Sequence, residues 1–584
     1  MPSTRAPRSL RDRLLLLALA VIVAGGIAWL IRAVAWQEVW LVNGLGVPVQ
    51  VEIGGRRENL PAGGRTPVWV LAGARRVRTT TPRGTVEEEP IVIPRADVVL
   101  YNVAGAAPLY TETIYYSQKG TGGPAPSFTF HGGKRLSVLS GIDHVFEEPP
   151  STISMKEGTS YVVRSVLRTA PGGWKATVAY LDENSRRLEA LQLVRQIAAV
   201  QPEDEDAAGR FEALLSGVRG WEASLNLARR RVEADAANVG AHRSVQYWER
   251  LLGRAGETRA RYRAAYEADR SVQNAALLAR VEAAETALAL LHDALAREPK
   301  HGLARRALAM LQAHRGDFPA AAALFEAVAL DEDPEYHRYL DDHARCLVAA
   351  GRAQEAADSV ARYTAKHPKS IDWTLAVAYA QLARLTGVTA PGPPATFIDK
   401  VATQRGQPDF RVWMSTLAED VGDERVRTIS DASLKAVTTV QQLAGRDPAA
   451  AWAECRKLGP EPRRQLAPIV ALLLGAEYDR VGDPELADAL FRVVALHVGL
   501  APAELRQQAR DRTAQGDDWR LGPEMRAALD FVYGRHLEAA GQDASAWYGS
   551  ARRGDALQGV VWRAVLKWPH PRPGVARTLV VRAR

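Results

Sequence analysis

A 34-residue recurrence in the second half of the chain limits the available folds most sharply. Glu233-Ala234-Asp235 returns as Glu267-Ala268-Asp269, and Pro299, Pro334 and Pro368 follow at offsets of 35 and 34. From about Asp182 the apolar positions recur with a period near 3.6 rather than two, which is the period of a helix face. Each of the three prolines closes a predicted helix, because the residue before a proline disfavours the helical conformation. A period of this length means short helical units stacked in series. One such unit cannot bury its apolar face alone.

Within the units, the turn and second helix share a spacing. Gly316-Asp317-Phe318 leads to Ala321 and Phe325, and Gly482-Asp483-Pro484 leads at the same intervals to Ala487 and Phe491. Gly351 leads to Ala356, and Gly541 to Ala546. In the unit near Pro468–Leu500, Leu474, Gly475 and Tyr478 occupy first-helix positions, and Gly534, Ala309 and Ala344 repeat the small one. Small residues let two helices approach closely, and Phe325 or Phe491 fills the gap between hairpins. The turn glycine permits a left-handed residue after the first helix. On these residues the chain resembles the tetratricopeptide repeat family, whose unit of 34 residues is two antiparallel helices. The resemblance implies an array that docks a protein or peptide partner on its concave face. It covers residues 182–386 and 466–569. The segment 387–465 departs from it: Val388–Pro394 holds three prolines, and Phe410–Leu417 and Leu434–Leu443 read as helices without clear register. A tail, 570–584, includes the strand-like Thr578-Leu579-Val580-Val581.

Near the start, Leu14 to Ile31 is an uncharged, mostly aliphatic run. As a helix it measures about 27 Å, close to the hydrocarbon thickness of a bilayer. Arg5, Arg8, Arg11 and Arg13 precede it and only Arg32 follows closely. The positive-inside rule therefore places residues 1–37 as a cytoplasmic tail and membrane span, with the bulk of the chain across the membrane. Trp29 and Trp36 suit the interfacial belt. The competing reading is a cleaved signal peptide at Ala33-Val34-Ala35, which would make the protein secreted.

Residues 38–181 alternate with period two between Gly and Pro turns. Val49–Ile53, closed by Gly54-Gly55, is the clearest predicted strand. Val68–Leu71, Ile91–Ile93, Val98–Tyr101, Ser160–Val163 and Ala176–Tyr180 are the others. This spacing predicts an antiparallel sandwich-like domain. Val49 to Gly55 followed by Pro61-Ala62-Gly63-Gly64 resembles the PEGA-like modules found beside membranes in bacterial surface proteins. The expected class is therefore α+β and multidomain: a transmembrane helix, an antiparallel β-sandwich-like domain, then an all-α solenoid.

The net charge of +8 divides into 75 basic and 67 acidic residues, interleaved along the predicted helices. The densest basic run, Arg229-Arg230-Arg231, has no flanking aromatics, so nucleic acid is not an expected partner. Cys346 and Cys455 are too few and too far apart for a disulfide framework or metal motif, and are expected as buried thiols. His131-Gly132-Gly133-Lys134 lacks the upstream glycine and the Ser or Thr of a phosphate loop and reads as a turn, as does Gly44-Leu45-Gly46. His337, Asp341 and His343 read as solvated surface. Tyr115-Tyr116, Trp373 with Tyr379, and Trp547-Tyr548 read as core packing. No catalytic, cofactor or metal constellation emerges. The expectation is a non-enzymatic, membrane-anchored interaction scaffold without a cofactor, with cell-envelope assembly as a fitting role. The alternative is an envelope enzyme or glycan-binding protein using the β-rich domain or residues 387–465.

Overall fold

The computed structural model describes residues 36–117, 127–154, 161–170, 172–183, 186–330, 339–366, 432–512 and 519–554. The run Leu14–Ile31, the segment 387–431 and the tail lie outside the described residues. The chain divides into two compact units, Met1–Leu214 and Leu215–Arg584.

The first unit contains twelve described strands in three four-stranded sheets, ordered β10-β7-β1-β4, β3-β2-β5-β6 and β11-β12-β8-β9. Their ranges are β1 Trp36–Val42, β2 Val49–Ile53, β3 Arg56–Leu60, β4 Arg65–Leu71, β5 Gly73–Thr81, β6 Gly84–Ile93, β7 Val98–Asn102, β8 Leu109–Ser117, β9 Ser127–Phe130, β10 Leu136–Leu139, β11 His144–Val145 and β12 Tyr161–Thr169. In β2 the valines and Ile53 are buried while Gln50 is exposed, as alternation requires. Gly54 and Gly55 both have positive φ, 55° and 81°, which joins β2 to β3 through a two-residue turn. The sheets are not wholly antiparallel, contrary to the expectation. β1 pairs with β7 in parallel, as does β11 with β12. Five strands intervene between β1 and β7 in sequence, so their pairing is a crossover rather than a hairpin.

A second correction concerns Ala176–Tyr180, which is helical, within Trp174–Glu183. Its buried residues Trp174, Thr177, Val178 and Leu181 fall at helix spacing, one stripe against the sheets. The helices Arg187–Val200 and Glu205–Arg219 add Ala190, Leu193, Val194, Ile197, Ala207 and Leu214 to the same core. The compact unit therefore runs on past the last strand to Leu214.

One buried polar cluster organises this core. Glu87 accepts hydrogen bonds from the Tyr101 hydroxyl (2.5 Å) and the Ala104 amide (2.9 Å), and pairs with Arg135 at 3.1 Å. Ala104 has φ 54°, unusual for a residue with a side chain, and the carboxylate pins that turn. Burial raises the Glu87 pKa, although Tyr101, the Ala104 amide and Arg135 pull the other way.

The second unit is helical. Its described helices run in antiparallel pairs: Trp221–Ala234 with Val239–Leu251, Gly302–Arg315 with Phe318–Leu330, Leu340–Ala349 with Ala353–Lys366, and Pro468–Arg480 with Pro484–Val498. The two copies of Glu-Ala-Asp hold one structural place. Asp235 and Asp269 each end a helix in extended conformation, with the amide bonded back to the carbonyl four residues earlier. In residues 432–465 the expected helix Leu434–Leu443 lies within a longer one. These residues form Ala432–Arg446, Pro448–Lys457 and Pro460–Arg464, which bury Val437, Val440, Ala444, Ala451 and Cys455. That core also holds Leu225, Val245 and Trp248 together with Leu474, Phe491 and Tyr548, so helices far apart in sequence share one interior.

Candidate interaction surface

The hairpins of the helical unit are built from their turns outward. Gly316 and Gly482 each have φ 83° and Gly351 has φ 79°, the left-handed conformation that ends a first helix. Asp317 and Asp483 then cap the second helix, their side-chain oxygens accepting from the amides of Ala320 (3.2 Å) and Leu486 (3.3 Å). Ala321, Phe325, Ala356, Ala487 and Phe491 are fully buried. A β-carbon placed on Gly475 would stand 3.2 Å from that of Leu490, so the small residue sets how closely the two helices pack. Tyr478 is fully buried and donates its hydroxyl to the Trp452 carbonyl at 2.5 Å. In the last hairpin Ala546 is exposed, while Ala544 and Tyr548 are buried and Gly534 faces the Tyr548 ring.

Between hairpins, buried carboxylates act as staples. Glu249 is 1% exposed and accepts from Arg229 (2.9 Å) on the first helix of its own hairpin, and from Thr258 (2.7 Å) and Arg261 (2.9 Å) on the next helix. Burial works to raise its pKa, but the hydrogen bonds from Arg261, Arg229 and Thr258 outweigh it and hold the carboxyl below its ordinary value. Glu282 pairs likewise with Arg263 and Arg259.

Residues late in the chain lie against the early hairpins, a feature the sequence analysis missed. The Trp519 indole N–H donates to the Glu282 carbonyl at 3.1 Å, and the ring packs in the core formed by Leu277, Leu278, Leu308 and their neighbours. Arg520 donates to the Arg280 carbonyl at 2.5 Å, Arg526 to that of His314, and the Tyr247 hydroxyl to that of Leu496. Trp519 follows the polar run Gln515-Gly516-Asp517-Asp518, and no periodicity marks it as core. The early hairpins, between Tyr247 and His314, are thus contacted by later residues of the chain itself. These contacts bring cations together. The Arg280 guanidinium is pushed down by burial and by Arg243, Arg520 and Arg250, and its Nε bonds to Gln246 at 3.1 Å.

The other sequence candidates resolve individually. His343 is buried rather than solvated and packs near Phe325, and burial lowers its pKa to about 4. His337 lies outside the described residues. Among the described residues no three His, Cys, Asp or Glu side chains are grouped to hold a metal. Cys346 and Cys455 are buried free thiols, pushed up to about 12 and about 11 by burial. His131–Lys134 is a turn, with His131 bonded to Thr111 at 2.7 Å. Tyr115 stacks edge-on with Tyr161, and Trp547 with Tyr533, while Trp373 and Tyr379 lie outside the described residues. Leu14 and Ile31 do too, and among the described residues no single helix is long and apolar enough to cross a membrane.

With these hairpins in view, comparison with known proteins gives one family match. The model of the tetratricopeptide repeat family matches residues 315–382. A tetratricopeptide repeat domain is present there. Its described parts are residues 315–330 and 339–366. No curated protein matches the chain. A solved structure titled "Structure of Naa15/Naa10 bound to HypK-THB" is similar at 13% identity and a TM-score of 0.22, over 70% of this chain. The chain spans 65% of the length of that matched chain.

Proposed function

We propose that the protein is a non-enzymatic scaffold that binds a protein or extended peptide through its helical repeats while held at a membrane by residues 14–31. The observation that carries this reading is the repeat domain at 315–382, next to hairpins already contacted by later residues of the chain as far as His314. The partner surface is accordingly the first-helix face from Leu340 onward. Gly316, Ala321, Phe325, Gly351 and Ala356 set its hairpin spacing, and Gly475, Tyr478, Gly482, Ala487 and Phe491 set that of the later array. The amino terminus is cytoplasmic and the bulk extracytoplasmic, as the arginine distribution around the apolar run requires. Tethering raises the effective concentration of the repeats toward membrane-associated partners, which fits an assembly factor of the cell envelope.

A photoreactive residue in place of Arg345, on the Leu340–Ala349 helix, tests the reading in intact cells. The expected result is a discrete covalent adduct with one protein. Absence of any adduct, with turnover of a small molecule by the purified chain, would overturn it.

A further inference from the structure

The outer face of β1 and β4 bears an apolar patch at the end where the chain enters the first unit. Alternation sends Val39, Val68 and Val70 into the core, so Trp36, Trp69 and Leu71 project from the opposite face. The register sets Trp36 opposite Leu71 and Glu38 opposite Trp69, which makes the three side chains neighbours. Trp69 is 56% exposed and Leu71 41%, on an edge strand. Single exposed apolar residues are ordinary on any surface, but a cluster with two tryptophans marks a place that something covers. The Arg56 guanidinium stands over the Trp36 ring at 6.0 Å, which gives the patch a cationic rim.

The position of Trp36 in the chain selects the occupant. Residues 32–36 join the apolar run to β1, and five extended residues reach about 17 Å at most. A bilayer holding residues 14–31 is therefore always within reach of Trp36 and of Leu71 beside it. Tryptophan favours the headgroup layer, where its ring is apolar and its N–H stays hydrated, and arginine pairs there with lipid phosphate.

We propose that this β1–β4 face lies in the headgroup layer of the membrane that anchors the chain, with Trp36, Trp69 and Leu71 as its contact residues and Arg56 on phosphate. The proposal rests on the anchored reading above. The face acts as a second attachment point, which fixes the orientation of the β unit on the bilayer.

The test uses the full chain reconstituted in vesicles of phosphatidylethanolamine and phosphatidylglycerol. An environment-sensitive fluorophore is attached to Trp69→Cys, to Leu71→Cys, or to Thr85→Cys as a control. Thr85 is exposed and lies about 26 Å along β6 from the strand's opposite end, at 3.3 Å per residue. Both patch labels are expected to lose most of their emission to lipids carrying a quencher near the headgroup, while the Thr85→Cys label keeps its own. Equal quenching at all three positions, or none at the patch while the protein resists alkaline extraction, overturns the proposal and leaves the anchor standing. Release by alkaline extraction overturns the anchored reading itself. A blue shift at the patch that depends on protein concentration and not on quencher assigns the face to a second copy and also overturns the proposal.

Discussion

The two units achieve a closed interior in different ways. In the β unit, β2 with β3, β5 with β6, and β8 with β9 are hairpins between neighbours in sequence, pairings such as β1 with β7 join distant strands, and alternation decides which side chains face inward. In the helical unit, residues distant in sequence join the interior that the local hairpins begin. Trp519 reaches Glu282, and Tyr247 reaches Leu496. Local signals therefore suffice to build a hairpin but not to close an array, which needs contacts whose loop-closure cost is met only late in folding.

The sharpest way to break this comparison is to remove a residue that the helical core shares widely. Phe491→Ala should cost about 3–5 kcal/mol, as truncation of a fully buried aromatic does. In chemical denaturation followed by hydrogen exchange, the loss should fall on the Leu215–Arg584 unit and spare the β strands. Trp519→Phe keeps an aromatic, though smaller, side chain and leaves the Glu282 carbonyl without that donor. A loss of about 1–3 kcal/mol is expected, measured as a lower denaturation midpoint. Gly482→Ala should cost about 1 kcal/mol, because φ 83° strains any residue with a β-carbon. Gly54→Ala should do the same in the β unit alone.

The finest contrast lies in two buried carboxylates that titrate in opposite directions. The folded pKa of Glu249 is depressed by its two arginines and Thr258. Its contribution is full above the unfolded carboxylate value and fades as pH falls through the folded one. That of Glu87 is raised by burial. Its ionisation therefore opposes folding as pH rises above the unfolded value of 4.5. Glu249→Gln should flatten the acid-side loss of stability in the helical unit, whereas Glu87→Gln should remove a decline on raising pH in the β unit. Denaturation midpoints across pH 3–7, resolved by unit, check both signs.

What was legible follows the same division. The strands around Val49–Ile53, Val68–Leu71 and Val98–Tyr101 show in the sequence because alternation and turn glycines are local. The Gly–Ala–Phe spacing of the hairpins shows for the same reason. Ala176–Tyr180 misled because Thr177, Val178 and Tyr180 are residue types that favour strands, while its buried stripe begins outside it at Trp174 and ends at Leu181. The parallel pairing of β1 with β7 has no local signature, since neither strand predicts its distant partner. Asp317 and Asp483 were readable as helix caps from their place before the second helix. Trp519 was not, because its neighbours are polar and its core is supplied by residues more than two hundred positions earlier.

Hydrogen exchange on the full chain with Trp519→Ala is the most direct test of the claim that distant residues complete the helical unit. Amides of Val272–Ala279 and Ala284–Arg297 should lose protection, while those of β2 and β5 keep theirs. Unchanged protection across residues 272–297, or an equal loss in both units, would contradict it.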